Sequence, residues 1–267
     1  MSVQRNRLHW PEYLIEAASL GTFMLSAAVF ATLFQHPASP LSAAVDHLPL
    51  RRLPMGLAMG LTAVALIYSP TGRRSGAHMN PAVTLTFLRL GKIAFVDAAC
   101  YVVAQFIGGL LGLASAVWML RGLPSDPSVN FIATAPGAGG TAFAFGAELV
   151  MSFVMMLTVL RLSNEAQLAR FTGLAAGMLV AIYITVEAPV SGMSLNPART
   201  FPSALLAHTL DSLWIYVTAP PLGMLLAAEA VVRTQGRVRV RCAKLHHSPG
   251  ACIFNCGYQS LPVEAHT

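Results

Sequence analysis

The sequence predicts an all-α membrane protein, six transmembrane helices plus two re-entrant half-helices in an inverted repeat. Three observations carry that prediction. The 267 residues are 55% hydrophobic and only 10% charged, where an ordinary soluble domain carries roughly 25%, so a soluble fold of this size would lack the charge to cover itself. The apolar runs are long: Tyr13 to Phe34 holds one charged residue, Glu16, and the stretch between Lys92 and Arg121 holds only Asp97. Runs of about 20 apolar residues suit a bilayer. Finally, "SGAHMNPAVT" at 75–84 and "SGMSLNPART" at 191–200 agree at six of ten positions.

The spans read as 11–35, 50–70, 93–120, 141–162, 168–188 and 212–233. Arg5 and Arg7 precede the first run, which exceeds the roughly 7–15 apolar residues of a cleavable signal core, so it reads as a retained helix. The first and fourth spans each carry one glutamate, Glu16 and Glu148. The second and fifth share a G-L-A-x-G segment, Gly56/Gly60 and Gly173/Gly177, and glycines four apart let helices approach closely. Each half is thus three spans with a short Asn-Pro-Ala segment after the second. Three is odd, so the second half enters the membrane from the opposite side. This gives a channel-like domain at 1–233, with halves at about 11–120 and 141–233, and a basic Cys/His tail at 234–267.

Charge placement orients the chain. With the N-terminus cytoplasmic, 13 of the 17 Lys and Arg residues lie inside, as the positive-inside rule expects. The expectation is a multi-pass protein of the plasma (inner) membrane with both termini cytoplasmic. The net charge of +6 then reflects topology, and nucleic acid is not an expected partner.

Asn is a strong N-cap, Pro suits the first helical turn and Ala is the best helix former. Asn80-Pro81-Ala82 therefore opens a helix running to Gly91, and Asn196-Pro197-Ala198 opens another, with Pro202 predicting distortion in its early turns. Ten residues rise about 15 Å, half the hydrocarbon thickness, so both are re-entrant and need protein or a wet cavity around their broken backbone. Inverted symmetry makes their N-termini meet near the midplane, each with about half a positive charge. Such a place repels cations, hydronium included, and its Asn amides face a solute that accepts hydrogen bonds. Arg199, one turn into the second half-helix, is costly in a membrane and strengthens cation exclusion. Small neutral solutes fit this barrier.

At these residues the sequence resembles the major intrinsic protein family, the aquaporins and aquaglyceroporins. The carrying features are the two Asn-Pro-Ala segments, the trailing Arg199, the duplicated glutamates and the glycine-rich "QFIGGLLG" of the third span, over about 11–233. The resemblance implies one pore per subunit, usually in a homotetramer, with passive permeation that requires no cofactor. It maps the family's narrow filter onto Met59, Ile184, Met193 and Arg199. Strict water channels have His where this chain has Ile184, which leaves room for a larger solute. Thr200 and Ala204 stand where glycerol facilitators carry an acid and a base, and Tyr216 matches a water-channel aromatic although Val217 replaces a Trp. Water leads; glycerol or similar uncharged solutes are the alternative.

Some residues lie outside the family pattern. Glu187, one turn beyond Ile184, is expected either to pair with Arg199 and weaken its barrier or to face loop and headgroups. His78 reads as a packed, hydrogen-bonded loop residue. In the tail, Cys242, His246 or His247, Cys252 and Cys256 suit a tetrahedral zinc site, although three residues separate Cys252 from Cys256 instead of the usual two. A basic tail resting on anionic lipid is the competing picture. A coupled transporter would need coupling-ion ligands, and besides Arg199 the spans offer few ionisable groups; a closed-pore sensor would use the tail to recruit a partner, and no nucleophile–base pair or phosphate loop marks an enzyme.

Overall fold

Two half-helices, of nine and ten residues, sit among six helices long and apolar enough to cross a membrane. The computed structural model describes residues 8–44, 48–236, 240–247 and 252–258. In chain order the main helices are α1 (Trp10–Gln35), α2 (Leu48–Tyr68), the half-helix α3 (Pro81–Arg89), α4 (Phe95–Met119), α5 (Gly140–Ser163), α6 (Thr172–Val186), the half-helix α7 (Pro197–Leu206) and α8 (Leu213–Gln235). α6 starts later than its apolar run because Ala169–Phe171 forms a 3₁₀ turn first. The start of α1 and the end of α8 share one side, here the tail side; the other is the far side.

The repeat is visible in the packing. α1 lies along α4 and α5 along α8, equivalent pairs in the two halves, while α2 lies along α6 across the pseudo-two-fold. At that crossing a Cβ on Gly60 would come within 2.5 Å of the Gly177 carbonyl oxygen, and one on Gly177 within 2.6 Å of the Gly60 oxygen. The two backbones touch, which is what the shared G-L-A-x-G segments permit. The outer faces carry large apolar side chains such as Leu61 and Trp118, a surface suited to lipid.

Each half-helix also leans on the third span of the opposite half, α3 on α8 and α7 on α4. The halves are therefore interlocked. Pro202 does not interrupt α7. Lacking an N–H, it cannot donate to the Ala198 carbonyl, and Gly109 of α4 brings its backbone against that oxygen, where a Cβ would sit at 2.4 Å.

The described tail segments fold back onto the tail-side loops. Leu245 N–H donates to the Gly76 carbonyl (3.1 Å) and Asn255 N–H to that of Lys92 (2.9 Å). Arg241 N–H donates to Asn164 Oδ1 (2.6 Å) and Tyr258 hydroxyl to the Ser163 carbonyl (3.2 Å). Val240, Cys242, Ala243, Leu245 and Phe254 are buried by these contacts. Arg5, Arg7, Arg237 and Arg239, which enter the charge argument, lie outside the described residues.

Candidate functional site

The two duplicated segments become two equivalent loops, each built on a buried glutamate. Glu16 Oε1 accepts from Ser75 Oγ (2.8 Å) and His78 N–H (3.1 Å), and Oε2 accepts from Met79 N–H (2.6 Å). Glu148 repeats the arrangement: Oε1 accepts from Ser191 Oγ and Ser194 N–H, and Oε2 from Leu195 N–H, all at 2.7 Å. Both carboxylates are fully buried, and a charge in that position persists only when hydrogen-bonded this completely. The anchoring continues outward, for Tyr101 hydroxyl donates to the Ser75 carbonyl (2.7 Å) and Tyr216 hydroxyl to that of Ser191 (2.5 Å).

These bonds hold the loops in a costly shape. Ala77, Met79, Met193 and Leu195 all have φ between 49° and 56°, a left-handed conformation costing roughly 1–2 kcal/mol for a residue with a side chain. Such strain persists where the surroundings over-determine it, and the carboxylate bonds to the neighbouring N–H groups supply that. The loops then deliver Asn80 and Asn196 as N-caps, their Oδ1 atoms accepting from Ala82 and Ala198 N–H at 2.8 and 3.0 Å, with Pro81 and Pro197 opening the helices.

The caps also bind each other's loops. Asn80 Nδ2 donates to the Leu195 carbonyl and Asn196 Nδ2 to the Met79 carbonyl, both at 2.7 Å. One N–H of each amide is spent in this crossing, which leaves one apiece. Both asparagines line a cavity of about 340 Å³ that extends from Gln35 and Arg52 at the far side to His78 and Leu245 at the tail side. Two half-helix N-termini thus meet at one cavity, and their partial positive charges add there.

Met59, Ile184, Met193 and Arg199 all line this cavity. Arg199 Nη1 is buried and has no hydrogen-bond partner, so it is a donor available to what enters. Its repeat-equivalent, Val83, lines the same cavity without a charge, so the barrier is asymmetric. Thr200, by contrast, turns away to bond Ser194 Oγ and Thr134 Oγ1.

Glu187 corrects one expectation. It forms no ion pair with Arg199, its two carboxylate oxygens are buried without partners, and it is not on the cavity wall. The chain turns at Glu187 from the end of α6 into the short Ala188–Ser191 helix, so the α6 face that carries Ile184 does not extend to it.

His78 is packed as read from the sequence. Its Nε2 donates to the Ala243 carbonyl (2.8 Å), Nδ1 bonds Thr84 Oγ1 (3.0 Å), and the ring lies between Phe87 and Phe254. In the tail, the Sγ atoms of Cys242, Cys252 and Cys256 lie within 4.8 Å of one another. Of the two histidines His247 stands beside one of them, its Nε2 3.3 Å from Cys256 Sγ, whereas the His246 ring packs edge-on against Tyr68. The Cys242 bond and the charge of Lys244 pull the Cys252 thiol down to about 6, and burial holds the His247 imidazole below its usual value.

Sequence reasoning missed Ser75, Ser191, Tyr101 and the contact of Leu245 with the cavity. Ser75 and Ser191 had a signal, since both open the repeated ten-residue segment; the tail contact had none.

Comparison with known proteins agrees with this architecture. The chain matches the family model described as Major intrinsic protein over residues 8–230. Glycerol uptake facilitator protein-like 6 of Lactiplantibacillus plantarum is 34% identical over 220 residues, 81% of this chain and 94% of that one. Aquaporin NIP1-1 of Arabidopsis thaliana is 35% identical over 179 residues, 65% of this chain and 60% of that one. The chain spans about three-fifths of the length of the plant relatives it matches. The X-ray structure of the aquaglyceroporin from Plasmodium falciparum shares the fold, with a TM-score of 0.70 at 19% identity over 87% of this chain and 99% of that one. With its inverted halves, paired Asn-Pro-Ala half-helices and a family match across six apolar spans, the chain belongs to the major intrinsic protein family and is an integral, multi-pass membrane protein.

Proposed function

We propose that the protein is a passive pore for water and other small neutral solutes that excludes protons and ions, and that it is not an enzyme. The observation that carries this is the crossed pair of asparagine caps facing one cavity beside the unpartnered Nη1 of Arg199. A solute with lone pairs can replace its lost water contacts with the spare amide and guanidinium donors. A cation meets two helix N-termini and a full positive charge in a place with little water to screen them. In this reading Asn80, Pro81, Ala82, Asn196, Pro197 and Ala198 build the central barrier, and Met59, Ile184, Met193 and Arg199 form the narrow filter.

A glycerol-type facilitator is the second reading. It is supported by the apolar Ile184, Met59 and Met193 on the filter wall and by the similarity to a protein named as a glycerol uptake facilitator; the plant relatives named aquaporins support the first. Permeation needs no cofactor in either reading. Family membership supports a homotetramer in the plasma (inner) membrane, the placement of Lys and Arg supports a cytoplasmic tail side, and residues 1–233 are read as the pore domain. Stopped-flow light scattering on proteoliposomes tests the choice. Fast water and slow glycerol flux, with glycerol slowed further in Ile184→His, is the expected result. Fast glycerol flux would move the protein to the second reading, and flux no faster than in empty vesicles would reject both.

A further inference from the structure

We propose that Cys242, His247, Cys252 and Cys256 bind one thiophilic divalent cation, best matched by zinc, and that the metal clamps the tail as a lid beneath the tail-side mouth. The lid role rests on the pore reading above; the metal site does not.

Distances argue for the site. A tetrahedral zinc with bonds of about 2.3 Å to sulfur and about 2.0 Å to nitrogen sets two sulfurs roughly 3.8 Å apart and a sulfur–nitrogen pair roughly 3.6 Å apart. Cys242 and Cys252 Sγ are 3.7 Å apart, and Cys256 Sγ is 3.3 Å from His247 Nε2. All three sulfurs fall within 4.8 Å of one another. A disulfide would need sulfurs at about 2.05 Å; the three sulfurs are instead close enough to share one ion, and His247, beside Cys256, is the nitrogen placed to complete the set. Three thiolates around a divalent cation leave one negative charge, and Lys244, buried in the same segment, acts electrostatically on Cys252. Metal binding displaces the thiol protons to solvent.

The ligands bracket residues that meet the cavity wall or the loops flanking the first half-helix. Between Cys242 and His247 lie Ala243, whose carbonyl accepts from His78, and Leu245, which forms part of the cavity wall. Between Cys252 and Cys256 lie Phe254, stacked on the His78 ring at 5.5 Å, and Asn255, whose side chain donates to the Gly91 carbonyl at 2.8 Å. His78 is two residues from the Asn80 cap. One ion would therefore fix both segments against the loop that carries the first half-helix. Without it, the described tail segments, which have little regular secondary structure, must offset their ordering entropy with a few hydrogen bonds and the ring contacts of His246, His247 and Phe254.

The test uses the full chain, purified without a polyhistidine tag, loaded with zinc and freed of excess. Elemental analysis should find one zinc per chain in the native protein and in His246→Ala, and loss of zinc in Cys252→Ser, Cys256→Ser and His247→Ala. Cobalt loading should give the intense visible bands of a tetrahedral thiolate site. In proteoliposomes, chelation should raise native water flux several-fold and leave the flux of Cys256→Ser unchanged. No stoichiometric zinc in the native protein would overturn the site, and zinc retained by His247→Ala would overturn the ligand set. Zinc present with flux indifferent to chelation would overturn the lid. Native flux equal to that of empty vesicles, chelated or not, would count against pore and lid together, while the zinc content would still decide the site.

Discussion

Asn80 and Asn196 each hold the loop that precedes the other, through reciprocal 2.7 Å bonds to the Leu195 and Met79 carbonyls. The two half-helices are thereby fixed tip to tip, although they come from opposite halves of the chain. Asn80→Ala should lose an N-cap, about 1 kcal/mol, and orphan a buried carbonyl, about 1–3 kcal/mol more. Thermal unfolding in detergent should show a clear drop in midpoint, with solute flux falling too. An unchanged midpoint would mean the crossing bond contributes nothing.

Glu148→Gln should weaken the second loop. Three donors converge on this carboxylate, and an amide NH₂ in place of one oxygen would face a donor with a donor. A loss of about 2 kcal/mol or more is expected, since the bonds made are to a charged acceptor. Denaturation midpoints of Glu148→Gln and the equivalent Glu16→Gln should fall together; a stable Glu148→Gln would show that the carboxylate is not what holds the strained loop.

Arg199→Val makes the second half-helix resemble the first, where Val83 stands at the equivalent position. Water flux should persist while cation or proton leak rises, read by a pH-sensitive dye inside vesicles under an imposed gradient. Leak equal to that of the native protein would place the whole charge barrier at the asparagine caps.

Glu187→Gln should leave charge selectivity unchanged, because the carboxylate neither reaches Arg199 nor lines the cavity. It should also raise the thermal midpoint modestly, since a buried carboxylate without partners costs more than a buried amide. A change in ion leak would restore the pairing with Arg199.

Gly60→Ala would drive a methyl group into the Gly177 carbonyl at 2.5 Å. Overpacking of this kind costs about 1–3 kcal/mol. A lower yield of folded protein in size-exclusion chromatography checks it, and Gly177→Ala, the symmetric change, should behave alike.

By itself the sequence determined the features that are local or repetitive. The half-helices begin where they were read because capping by Asn, the preset φ of Pro and the propensity of Ala act within four residues. The spans follow from apolar length, and the inverted pairing from a motif printed twice with an odd number of spans between. Tertiary structure alone decided which groups face one another. Glu16 satisfies N–H groups more than sixty positions away, the caps cross at separations of over a hundred, and Glu187 misses Arg199 because the helix ends at Val186. His246 and His247 are chemically the same in sequence, yet one packs on Tyr68 and the other meets Cys256. The return of the tail to the cavity wall at Leu245 left no trace in any local pattern, because its contacts lie with residues far away along the chain, and no propensity encodes a partner at that distance.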